Sequence, residues 1–197
     1  MQGAPFTSDP PDQVLAAADR LFYRHGVQAV GMDALREEAG VSLRRLYQLY
    51  PSKGALVEAY LRWRDERWRS WLRYSVEGCS ELTERPLAVF DALAEWFADE
   101  EFRGCALVNA TAELGETTPA VRRQAEHHKR AVRAYLAKLL SEAGHPGDPE
   151  ESAAQLMLLL DGAIVQAGIA GETGAARRAK AMAQYLLSDA SHGRVGH

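Results

Sequence analysis

Apolar residues recur every three or four positions along almost the entire chain, and no stretch alternates apolar and polar residues as a half-buried strand does. That periodicity predicts an all-α protein. Val14, Ala18, Leu21 and Phe22 form the inward stripe of a first helix. The run Asp9-Pro10-Pro11-Asp12 opens it with a capping aspartate, a proline at the first helical position and an acid in the first turn. Gly26 stops it. A short second helix starts at Gly31 with Met32, Leu35 and Ala39 inward, Gly40 breaks it, and Ser42 is placed to cap a third. The third helix must end at Tyr50, because Pro51 disfavours helical geometry in the residue before it. Ser52 caps a long fourth helix to about Ser75, rich in Arg62, Trp63, Arg64, Arg67, Trp68, Arg69, Trp71 and Arg73. Beyond Glu77-Gly78 the rhythm lengthens. Gly/Pro punctuation delimits helices at 84–100, 104–114, 118–143, 150–171 and 174–190, about nine helices in all.

Composition adds little to this picture, and charge adds more. The 197 residues are 47% hydrophobic and 25% charged, an ordinary globular balance able to bury a real core. The net charge of -4 hides an asymmetry: Gln13–Tyr74 holds 11 Lys and Arg against 7 Asp and Glu, and the remainder holds 12 against 20. A locally basic segment on an acidic chain favours a polyanion at one end while the rest keeps the protein in solution. Cys79 and Cys105 are too few for a disulfide framework and lack any paired metal-ligand spacing, which points to a reducing, cytoplasmic setting. The opening "MQGAPFTSDPPD" lacks the basic and apolar regions of an export signal. The most apolar run, Leu156–Ala170, is interrupted by Asp161 and Gln166 and reads as too short to span a bilayer.

The third helix carries the candidate chemistry. Projected at about 100° per residue from Leu43, residues Leu43, Leu46 and Tyr50 share one arc with Tyr47 on its flank, while Arg44, Gln48 and Arg45 fall near 100°, 140° and 200°. Three side chains able to bond base edges thus point away from the apolar face. Arg matches guanine O6/N7 and Gln matches adenine N6/N7 in the major groove. Lys53 adds a cation at the start of the fourth helix, beside backbone N–H groups that attract phosphate. A polar face opposite an apolar one is equally what a solvated helix presents.

The wider pattern decides between these readings. "LAAADRLFYRHGVQAVGMDALREEAGVSLRRLYQLYPSKGALVEAYL" resembles the DNA-binding domain of TetR-family transcriptional regulators, with Leu-Phe-x-x-x-Gly in the first helix, Ala-Gly-Val-Ser in the turn, then Leu-Tyr and Ser-Lys-x-x-Leu. The resemblance implies a helix-turn-helix domain over 9–52, a helical ligand-binding and dimerisation domain over 53–190, and a frayed tail over 191–197. It also implies a homodimer on a palindromic double-stranded DNA operator, acting as a repressor until an unidentified small molecule releases it. Ser42, Arg44, Arg45, Tyr47, Gln48 and Lys53 occupy the positions that meet DNA in this family. Gly31 stands where a Ser or Thr hydroxyl is common, Leu43 where Lys is frequent, and Arg45 where a small residue or Thr is usual. Target preference should therefore be particular to this chain.

Elsewhere the local pattern must speak. Cys105, Asn109 and Glu113 recur every four residues, as a polar line in an apolar helix does. With Trp96 and Phe97 as apolar walls they are candidate ligand-binding residues; a polar outer face gives the same spacing. Ala163, Ala167 and Gly171, with Gly168 alongside, make a smooth strip fit for a helix-helix interface or for ordinary core packing, and Met182, Tyr185 and Leu186 follow on the last helix. Ala163, Ala167, Gly168, Gly171, Met182 and Leu186 are the expected dimer interface. Adjacent His127 and His128 lack a metal-ligand spacing. No phosphate loop, nucleophile elbow, metal cluster or cofactor motif is present, and Cys105, Glu113 and His127 form no recognisable catalytic set. A regulator is expected rather than an enzyme. The rival is a helical ligand-binding or interaction protein whose helix-turn-helix no longer binds DNA.

Overall fold

The computed structural model describes residues 12–192. Among them the chain forms α1 (Gln13–His25), α2 (Met32–Ala39), α3 (Leu43–Leu49), α4 (Lys53–Glu77), α5 (Arg85–Phe97), α6 (Ala106–Leu114), α7 (Pro119–Glu142), α8 (Pro149–Ala170) and α9 (Ala175–His192), with one short 3-10 turn at Leu82–Glu84 and no strand. The all-α reading holds. Asp12 is the residue outside α1 that caps it, its carboxylate accepting the Leu15 N–H at 2.8 Å, rather than an acid within the first turn. Asp9, Pro10 and Pro11 lie outside the described residues. So do 193–197 of the expected tail, whereas Ser191 and His192 close α9. α5 stops at Phe97, short of residue 100, where Asp99 folds back to accept the Glu101 N–H at 2.8 Å and so competes with the helix.

The chain forms two compact units. One holds the described residues up to Trp68 together with Cys105–His128; the other holds Arg69–Gly104 and the described residues from Lys129 onward. α4 and α7 each run from one unit into the other.

In the first unit Val14, Leu15, Ala18 and Phe22 of α1 are buried with Leu35, Leu46, Leu56 and Tyr60. Phe22 meets Tyr60 edge-on at 5.4 Å. The arginines of α4 have a structural use here. Arg64 pairs with Asp19 of α1 and lies 3.5 Å over the Tyr23 ring, and Arg67 stands 3.7 Å from the same carboxylate. Burial alone would lower the Arg64 pKa, but Tyr60, Asp19 and Tyr23 raise it overall, so this buried cation stays charged.

The second unit is built on α5, whose Val89, Phe90, Leu93, Trp96 and Phe97 are buried. Burying such a side chain stabilises by about 1.5–3 kcal/mol. α9 turns Ala176, Ala179 and Ala183 inward, so it lies close on α5 and α8, and Lys180 locks it to Asp91 at 2.6 Å. Asp148 caps α8 and left-handed Gly171 ends it. At 22 residues α8 is long and apolar enough to cross a membrane by length and composition, contrary to the shorter run expected. Its apolar residues are instead spent partly on α5 and α9, and its Asp161 pairs with Lys129.

Candidate nucleic-acid interface

Gly40, in the left-handed region at φ 65°, turns the chain sharply between α2 and α3, a conformation that an L side chain resists. Ser42 then caps α3 by accepting the Arg45 N–H at 3.2 Å. The seven-residue α3 is anchored by Leu46, which is fully buried. Arg44, Arg45 and Gln48 are exposed, and no side-chain partner is present for any of them among the described residues. Tyr47 is 45% exposed. Leu43, expected in the buried arc, is the first residue of α3 and is 43% exposed instead.

Positioning comes from contacts that join residues distant in the sequence. Asp12 uses one carboxylate oxygen to cap α1 and accepts the Tyr50 hydroxyl on the other at 2.7 Å, so the end of α3 is tied to the start of α1. Burial and this carboxylate both raise the Tyr50 pKa, keeping the phenol a donor. On the other side, Glu113 of α6 accepts the backbone N–H of Gln28 at 2.8 Å, and the Gln28 amide donates to the Glu113 carbonyl. Gly26 makes room for this contact. Its φ is +84°, and a Cβ there would lie 2.8 Å from the Glu113 carboxylate. Lys53 is half-buried and reaches the Gln28 carbonyl at 3.4 Å; burial lowers its pKa and Glu113 opposes that. The expected phosphate contact is thus also a brace for the α1–α2 turn.

The remaining candidates fall into different surroundings. Cys105, Asn109 and Glu113 belong to the first unit, where Cys105 is buried and hydrogen-bonded to His128, Asn109 is exposed, and Glu113 faces Gln28. Trp96 and Phe97 belong to the second, stacked around Phe102 with ring centroids 4.9 Å away in both cases. A groove of about 670 Å³ in the second unit is lined by other residues, among them Tyr74, Glu77, Cys79, Asp91 and Glu95.

The small-residue strip also divides. Ala163 and Ala167 are buried within the chain, whereas Gly168 and Gly171 are exposed. The two alanines contribute to the chain's own packing. The apolar side chains that α8 and α9 do present are Leu158, Val165, Ile169, Met182 and Tyr185, and Leu186 is half-buried.

Two short helices joined by a glycine turn, the second capped by serine and offering an Arg/Arg/Gln face, define a helix-turn-helix regulator class. The family model described as "Bacterial regulatory proteins, tetR family" matches residues 14–60, and one described as "Tetracyclin repressor-like, C-terminal domain" matches residues 83–183. A TetR-family transcriptional regulator from Streptomyces coelicolor is 27% identical, with a TM-score of 0.83 and coverage of 91% of this chain and 88% of that one. A TetR-type regulator from Streptomyces avermitilis is 30% identical at a TM-score of 0.75, covering 96% of this chain and 100% of that one. The HTH-type transcriptional regulator YjdC of Escherichia coli is 23% identical over 154 residues, 78% of this chain and 80% of that protein. The chain belongs to the TetR family. It is a DNA-binding transcriptional regulator and not an enzyme.

Proposed function

We propose that the protein is a cytoplasmic repressor that binds a palindromic operator as a homodimer and is released by a small molecule. The observation that carries this reading is the unengaged Arg44, Arg45 and Gln48 face on a capped, well-anchored α3. Arg44 and Arg45 read guanines and Gln48 an adenine, while Tyr47 and Lys53 contact phosphates and Ser42 holds the helix start in place. A single seven-residue helix supplies little affinity, and two on a twofold axis read successive major grooves about 34 Å apart. The apolar residues exposed on α8 and α9 supply the isologous surface for that dimer. An effector that favours a dimer with wrongly spaced recognition helices would lower operator affinity.

Footprinting on genomic fragments followed by gel shifts tests this. Arg44→Ala or Arg45→Ala is expected to weaken operator binding by about 1–3 kcal/mol and relax sequence preference, whereas Lys53→Ala weakens all sequences alike and lowers the salt slope. A wild-type protein giving no salt-sensitive, sequence-selective shift would favour the rival in which the helix-turn-helix no longer reads DNA.

A further inference from the structure

Reading DNA makes no use of the most deeply buried polar group of side chains in the first unit. Asp65 of α4 is 1% exposed, His128 of α7 is 3% exposed, and Cys105, which immediately precedes α6, is 7% exposed. Asp65 Oδ1 stands 2.7 Å from His128 Nδ1, and its Oδ2 accepts the Gln124 amide at 3.2 Å. The imidazole also hydrogen-bonds the Cys105 thiol. Trp68 meets the ring edge-on at 5.2 Å, and His127 lies 4.0 Å from Asp65 Oδ2 on the exposed side. Three helices therefore assemble a nucleophile, a base and a carboxylate that orients the base, residues far apart in the chain. Well-packed apolar side chains would serve stability as well as a buried ionic cluster does. With Nδ1 held by Asp65, the other ring nitrogen is left to meet the thiol. The α6 N-terminus adjoining the sulfur favours negative charge there.

We propose that Cys105 is a reactive thiol, activated by Asp65-oriented His128 for conjugate addition to a small uncharged α,β-unsaturated carbonyl compound. His128 takes the thiol proton, and the sulfur lone pair forms an S–C bond to the β-carbon. The C=C π pair moves to the enolate, whose α-carbon recovers the proton from His128. Thiol and enone become one thioether; nothing is oxidised and the imidazole is restored. Addition suits this pair because it needs a base and then an acid at one place, and no co-reactant. Limited exposure selects small reagents, and the Asp65 charge disfavours anions. α6 begins beside Cys105 and carries Glu113, which holds Gln28, in its last turn, so an adduct packed at its start displaces the brace under the α1–α2 turn. This consequence rests on the proposed DNA binding; the thiol chemistry does not.

The test treats the full chain with methyl vinyl ketone and follows each thiol by peptide mass spectrometry, with half-buried Cys79 as the internal reference. At pH 7 Cys105 is expected to react at least about tenfold faster than Cys79, with a rate nearly level up to pH 9. His128→Asn should slow Cys105 about tenfold and restore the steep rise of an ordinary thiol over that range. Equal rates at the two cysteines, reaction of Cys105 only in denaturant, or a steep rise in the wild type would overturn the proposal, and the last holds even if the variant fails to fold. Hydrogen peroxide converting Cys105 to a sulfenic acid faster than the ketone adds would overturn the assigned reagent class. In gel shifts on the bound genomic fragments, the ketone should release wild type and not Cys105→Ser. A complete Cys105 adduct that still binds DNA would refute the signalling consequence and leave the reactive site standing.

Discussion

A single histidine shows how much depends on neighbours. Burial opposes charge on His128, yet its hydrogen bonds to Asp65 and Cys105 outweigh that and raise its pKa above the ordinary 6.5. A raised folded-state value means that this group stabilises the fold fully below about pH 6.5 and that the contribution is lost as pH rises through the folded pKa. The thermal midpoint is therefore expected to fall as pH goes from 6 to 9, and His128→Asn should flatten that part of the profile. Melting curves by circular dichroism decide it; an unchanged slope in the variant would remove His128 as the source. At the same scale the exposure of Arg44, Arg45 and Gln48 was legible, because helical projection alone separates them from buried Leu46. That of Leu43 was not, since a projection cannot tell where the packing surface of the neighbouring helix ends.

Helix limits were read closely from local chemistry. Ser42 and Ser52 cap helices, Gly40 ends one, and Tyr50 is extended before Pro51, because each of these effects acts within a few residues. What α6 does could not be read in this way. Glu113 meets Gln28 across 85 positions of sequence, a contact that its four-residue spacing with Cys105 and Asn109 gives no sign of. Gly26→Ala should strain a positive φ and clash with the Glu113 carboxylate, lowering stability by about 1–3 kcal/mol. Glu113→Ala leaves an exposed N–H that water can satisfy and should cost only about 0.5–1.5 kcal/mol. Urea unfolding of both variants tests the order, and a Gly26→Ala protein as stable as wild type would place the strain elsewhere.

At the scale of the whole molecule, α8 and α9 distinguish folding from assembly. Ala167 is 7% exposed and Ile169 is 85% exposed. Ala167→Glu buries an unpaired charge and should unfold or strongly destabilise the chain, by several kcal/mol. Ile169→Glu should leave the thermal midpoint nearly unchanged while turning the proposed dimer into a monomer. Light scattering with parallel melting curves separates the two, and a folded, dimeric Ile169→Glu protein would move the proposed interface off this face. The sequence by itself determined the helices, the α2–α3 turn and the exposed polar face of α3, since periodicity, capping and turn chemistry are local and a short motif holds all of them. Only the tertiary structure decided which edge of α8 is inward, that α6 braces the α1–α2 turn, and that Asp65, Cys105 and His128 meet. Those outcomes depend on how helices remote in sequence pack, and helical period says which residues share a face without saying what that face will meet.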